Sequence, residues 1–265
     1  MTERPEFQEA PAPAATVLLL RDKPAFEVLM IARHENSAFA GGALVFPGGR
    51  VDPGDRLAGW RDLADGLADH PVIAAAQVAA VREAFEEAGV LLAREADGGP
   101  VSNERVRSLN EWRQRIEKDD GLFLQLIRDQ NLRLACDALC LFAHWIAPPG
   151  LHRRFDTLFF AARFPAGQDV REDGNEATEA VWIEPAKALA ARQTGERKII
   201  FPTACNLALL GRSKSVDEAV AWAGMRDIRA VMPTAVKRDG KIILQIPEGL
   251  GYPTTEEPLD VARPD

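Results

Sequence analysis

The chain has 265 residues, 46% of them hydrophobic, and carries 32 Lys and Arg against 40 Asp and Glu for a formal net charge of -8. That length and apolar content suit one well-formed core with insertions or a small appendage. The acidic balance argues against general nucleic-acid or membrane-surface binding, which draws on clustered positive charge, so neither partner is expected.

In chain order, the acidic, Pro/Ala-rich residues 1–13 read as a flexible lead-in without the order of a signal peptide. Strands are expected near 14–20 and 26–33; TVLLL at 16–20 is stopped by Arg21 and Asp22, far short of a membrane span. Together these features make the cytoplasm the expected location. The stretch FPGGRVDPGD, residues 46–55, reads as a strand end running into a Gly/Pro loop where backbone can approach a ligand closely. An insertion-like segment at 56–74 has a helical composition ending near Pro71, and a helix is expected over 72–89. A second excursion at 97–133 contains EWRQRIEK and LFLQLIRD at helical spacing.

Beyond it, 139–146, 154–162 and 179–183 read as strands and EPAKALAARQ as a helix. Strands and helices in this order predict an α+β domain with a mixed sheet over 14–195. Residues 196–265 form an extension packed on that domain: two helices, FPTACNLALLG with Thr203 as its cap and SVDEAVAWAGM capped by Ser215, then a hairpin about the RDGK turn. Cys136, Cys140 and Cys205 form neither an even disulfide set nor a zinc pattern, and read as packing residues. The four histidines suggest no triad; His34 and His152 are candidate cleft-lining residues.

The chemistry concentrates in REAFEEAGV, residues 82–90. At about 100° per residue Glu83, Glu86 and Glu87 share one strip of helix surface, while Val81, Phe85 and Ala88 face the other way. Like charges at this spacing repel by about 0.2–0.5 kcal/mol per pair in water, and a hard divalent cation reverses the sign. An EE run on a solvated face, with Arg82 supporting Glu86, is the ordinary alternative, but the glycine loop upstream favours a phosphate and metal site.

These segments resemble the Nudix hydrolases, whose box reads G, five residues, E, seven residues, then R-E-U-x-E-E-x-G-U with U apolar. Gly49 opens the box, Asp55 stands at its first acidic position, and Arg82 to Val90 complete it, with Ala84 small for its slot. The gap from Asp55 to Arg82 is 26 residues, 56–81, where the pattern has seven. Such an interrupted box is similar to the subgroup that includes the peroxisomal coenzyme A diphosphatase of mammals, as are EWR at 111–113, FLQL at 123–126 and RRFDT at 153–157 with its following Phe pair.

The resemblance spans about 14–190 and implies an α/β/α Nudix sandwich with helical insertions. It further implies that Glu86, Glu87 and the Gly48 carbonyl bind Mg2+ or Mn2+. Glu83 would act as ligand or base, Arg82 would orient a carboxylate, and Glu176, with Glu179 as the alternative, would complete the metal site. Arg33, Arg50 and Arg154 would hold phosphates. The implied activity is hydrolysis of coenzyme A or acyl-CoA to 3',5'-ADP and 4'-phosphopantetheine or its acyl form. ADP-ribose, NADH or another dinucleotide is the rival substrate class, and a non-catalytic nucleotide-binding module the rival of another kind. The oligomeric state stays open, a homodimer included.

Overall fold

The computed structural model describes residues 10–34, 41–149, 153–172 and 177–262. The first sheet strands are β1 (Ala12–Arg21), β2 (Glu27–Arg33), β3 (Leu44–Val45) and β4 (Gly48–Arg50). The first insertion holds α1 (Trp60–Leu63) and β5 (Ala64–Asp65), and the box helix is α2 (Pro71–Ala88). The second insertion runs through β6 (Ala93–Glu95), α3 (Asn103–Ser108), α4 (Asn110–Ile116), α5 (Gly121–Asp129) and β7 (Leu132–Ala135). Then come β8 (Cys140–Ile146), β9 (Phe155–Arg163), β10 (Ala177–Ile183) and α6 (Pro185–Gln193). The extension contains α7 (Phe201–Leu210), α8 (Val216–Gly224), β11 (Ala230–Val231), β12 (Thr234–Arg238), β13 (Lys241–Gln245), β14 (Glu256–Pro258) and α9 (Leu259–Ala262).

Among the described residues the main sheet has eight strands along the path β10-β2-β1-β9-β8-β11, with β3 on β2 and β4 on β1. Its β1–β9 and β8–β11 pairs are parallel and the rest antiparallel, so the sheet is mixed. Central strands are nearly all apolar because both faces are covered. Along β1 the period of two is visible: Ala15, Val17 and Leu19 join the core beneath α2, while Leu18 and Leu20 join the core beneath α7 and α8. The molecule is therefore an α+β sandwich of helix, sheet and helix. No helix among the described residues is long and apolar enough to cross a membrane.

The first insertion differs from the helical excursion its composition suggests. Between residues 57 and 70 only Trp60–Leu63 is helical, because Ala64 and Asp65 pair with Leu134 and Ala135 of β7, and Arg133 and Arg94 both hold the Asp65 carboxylate. The two insertions thus pack as one satellite: Trp60 lies 5.3 Å from the Phe123 ring and donates its Nε1 proton to the Gly54 carbonyl at 2.8 Å. Replacing Trp60 with Phe leaves that carbonyl only the long bond from the Leu57 amide at 3.4 Å and is expected to cost about 1 kcal/mol in urea unfolding. A loss below about 0.3 kcal/mol would show that the hydrogen bond contributes nothing net.

The expected cap of α7 is also corrected. Ile200 occupies the N-cap and Pro202 the first turn, which needs no amide donor there, so Thr203 falls inside the helix and is buried. At α8, Ser215 Oγ accepts from the Glu218 amide at 3.2 Å, as the sequence suggests. The strands β12 and β13 form a hairpin, with Asp239 and Gly240 at positive φ between them.

Candidate active site

The box helix delivers its side chains because both of its ends are fixed. Pro71 starts it, and Gly89 stops it at φ 64°, where the Gly89 and Val90 amides bond the Phe85 and Ala84 carbonyls. Arg113, from the EWR stretch, donates Nε and Nη2 to the Glu86 carbonyl at 3.0 and 2.7 Å, satisfying a last-turn acceptor of α2. The glycine segment comes to α2 as the short strand β4, paired with Ala14, Ala15 and Thr16 of β1, rather than as an open loop. Glycine is required at position 48, where a Cβ would lie 2.5 Å from the Ala15 carbonyl oxygen; a Cβ on Gly49 would instead lie 2.5 Å from Glu83 Oε1, the end of a side chain.

Arg82 is the electrostatic centre. Its Nε and Nη2 fork Asp55 at 2.9 and 3.0 Å, so the Asp that stands in the acidic box position reaches the helix despite the long gap. Nη1 meets both Glu83 and Glu86, at 2.9 and 2.8 Å, and Nη2 donates to the Arg50 carbonyl at 2.8 Å and lies 3.4 Å from Asp52. Glu87 accepts from the Gly48 amide at 2.8 Å, with Arg33 3.7 Å away. Four carboxylates crowd one guanidinium, an excess of three negative charges when all are ionised.

The consequence is visible in the acids. Burial pushes Glu83 up to about 8, against the pull of Arg82 and with the charges of Glu86 and Asp55 adding to it. Burial likewise raises Glu86 to about 7, opposed by Arg82 and aided by Asp55 and Glu117. Asp55 is raised too, again by burial first. Such strained hard-oxygen donors match the chemistry of a divalent cation. Among the described residues, however, no three acidic, His or Cys side chains already stand as a cation cage, since Arg82 Nη1 sits between Glu83 and Glu86.

A cavity of about 770 Å³ opens over this cluster and is lined by Arg33, His34, Gly48, Gly49, Arg50, Asp52, Arg82, Glu83 and Glu86. Arg154 does not line it and donates Nε to the Ala147 carbonyl at 3.1 Å; its neighbour Arg153 lines the wall instead. Glu176 and His152 lie outside the described residues. Glu179, the alternative to Glu176, is forked by Arg197 at 2.6 and 2.9 Å, a contact that lowers its pKa. Lining residues that sequence reasoning missed include Asp52, Glu117 and the aromatic wall of Trp145, Phe155, Phe159 and Phe201. Asp52, inside the same loop as Gly49 and Asp55, was the one with a local signal. Residues 56–74 contribute nothing to the lining.

Residues 68–210 match the family model described as the NUDT19 Nudix domain. The chain is 24% identical to acyl-coenzyme A diphosphatase NUDT19 of Xenopus laevis over 86% of this chain and 72% of that protein. With the human protein of the same name the identity is 30%, over 62% of this chain and 54% of the human one, so the match spans about half of that relative. Among solved structures, a NUDIX hydrolase from Alicyclobacillus acidocaldarius superposes with a TM-score of 0.66 at 27% identity, covering 80% of this chain and 96% of that one.

Proposed function

The chain belongs to the Nudix hydrolases, enzymes that act on pyrophosphate bonds, with the NUDT19 Nudix domain as its matching family, and from that membership we propose that it splits the diphosphate of coenzyme A or acyl-CoA. The products would be 3',5'-ADP and 4'-phosphopantetheine or its acyl form. Carrying the reading is the cavity over Arg82, where buried acids with raised pKa values face Gly48 and Gly49 beneath a long, partly apolar wall. The names of the amphibian and human relatives support the substrate class.

In this reading Glu83, Glu86, Glu87 and the Gly48 carbonyl would hold Mg2+ or Mn2+, and Glu83 and Glu86 would have to leave Arg82 Nη1 to do so. The bound cation would polarise phosphoryl oxygens and lower the pKa of bound water. Arg33 and Arg50, both lining the cavity, neutralise the phosphates and orient the diphosphate for in-line attack. Water oxygen bonds to phosphorus, the bond from phosphorus to the bridging oxygen breaks, and the water proton passes to a carboxylate. Glu83, which lines the cavity beside Gly49, is the acceptor we assign, and it must be ionised when the water attacks. Arg82 touches no substrate; its fork to Asp55 fixes the loop on the helix.

The test incubates purified protein and Mg2+ with coenzyme A, ADP-ribose, NADH and a diadenosine polyphosphate in parallel, identifying products by mass. Preferential release of 3',5'-ADP is expected, and chelation should abolish it until Mg2+ or Mn2+ is restored; preferential cleavage of another substrate overturns the coenzyme A assignment. Gly49→Ala supplies an independent check. Its methyl would displace the flexible Glu83 carboxylate rather than backbone, so kcat should fall by about 10²-fold, the order expected for misplacing a reacting group by an ångström. A variant with unchanged kcat would show that the Glu83 position does not matter.

A further inference from the structure

The cavity has two kinds of wall, and they come from different parts of the chain. The polar wall is the box: β4, the loop after it and the acidic strip of α2. The apolar wall is built by Trp145 and Phe159 of β8 and β9 together with Phe201, Pro233, Leu244 and Ala262. The last three of these lie beyond residue 210, outside the matched family domain. They are nonetheless firmly held. Trp145 donates Nε1 to the Tyr252 hydroxyl at 2.9 Å and meets the Tyr252 ring edge-on at 5.4 Å. Arg192 forks Glu257 at 2.6 and 2.5 Å and donates to the Val261 carbonyl at 3.2 Å, anchoring α9 with Ala262. Leu244 and Ala262 are almost fully buried within the same core cluster as Phe201 and Trp145.

A diphosphate bound over the acids needs only the polar wall. The apolar wall is continuous with it in one cavity, so it offers room for an uncharged apolar group carried by the same substrate. Resting on the coenzyme A reading, we infer that the extension beyond residue 210 is a specificity element that takes the acyl chain of an acyl-CoA, with Leu244 and Ala262 setting how long a chain is accommodated. These two residues are positioned to shape binding, not to touch the reacting phosphorus.

Leu244→Trp and Ala262→Phe each fill part of that wall from a different element, so both need not survive folding for the inference to be tested. With each full-length variant, KM and kcat are measured for free coenzyme A, hexanoyl-CoA and palmitoyl-CoA, after thermal melts confirm that it folds. The expected result is a KM for palmitoyl-CoA raised about tenfold or more, a smaller rise for hexanoyl-CoA and a change below about threefold for free coenzyme A, with kcat on free coenzyme A retained. Parallel losses on all three substrates, or no change on any, would overturn the inference while leaving the coenzyme A activity of the unsubstituted protein in place. Failure of that underlying reading shows separately, as an unsubstituted protein that cleaves none of the three.

Discussion

Glu86→Gln is expected to lower kcat by about 10³-fold or more, roughly 4 kcal/mol of transition-state stabilisation, without destabilising the metal-free protein. The two expectations pull apart because the acid serves function at the expense of the fold. Gln keeps the shape and can still accept from Arg82 Nη1, which now lies 2.8 Å from the carboxylate. What disappears is a charge that burial opposes. The Glu86 pKa is raised to about 7 from its ordinary 4.5, so the folded metal-free protein holds a proton that the unfolded chain gives up as pH rises past 4.5. Stability therefore falls across this window, and the whole penalty is present above pH 7. At pH 8 the variant should be the more stable by on the order of 1–3 kcal/mol, and the difference should close by about pH 4. Adding Mg2+ should raise the melting temperature of the unsubstituted protein far more than that of the variant. Undiminished hydrolysis by Glu86→Gln would sink the metal assignment, and a variant less stable at pH 8 would sink the account of the strained acid.

How much of this was legible beforehand depends on the range of each signal. The strip of Glu83, Glu86 and Glu87 on a helix over 72–89 and the strand near 14–20 are local patterns, and the structure contains both elements. The interrupted spacing between Asp55 and Arg82 was readable as an insertion, but not how it closes. That rests on Asp120 accepting from the Gly54 amide and on Trp60 against Phe123, contacts that the second insertion makes with the glycine loop and with the first insertion. Composition made residues 56–74 look helical, and cross-strand pairing with β7 overrode it. Arg153 and Arg154 were indistinguishable as neighbours in sequence; only the path of the strand end decides which faces the cavity. Least visible was the apolar wall. Leu244 and Ala262 read as an ordinary strand residue and an ordinary tail alanine, since nothing periodic links them to a motif more than 150 positions earlier.

Replacing Arg82 should do more damage to the fold than replacing any of its acids. Arg82 is 3% exposed, and Asp52, Asp55, Glu83 and Glu86 all lie within 3.4 Å of its guanidinium. Removing one partner of a buried ionic group leaves uncompensated charge, at about 3–5 kcal/mol, so Arg82→Ala should approach the limit of stability for a domain of this size at pH 8. Arg82→Lys retains the charge but cannot fork Asp55 while reaching Glu86 and the Arg50 carbonyl. It should recover only part of the loss. Because the exposed defect is negative charge, protonation relieves it: urea unfolding of Arg82→Ala should show a deficit that shrinks as pH falls from 8 to 5. A divalent cation should act in the same direction, stabilising Arg82→Ala at pH 8 by meeting the acids that arginine no longer neutralises. Were the deficit independent of both pH and Mg2+, Arg82 would be holding the loop by packing and hydrogen bonds alone, and the excess negative charge would not be what prepares this site for a cation.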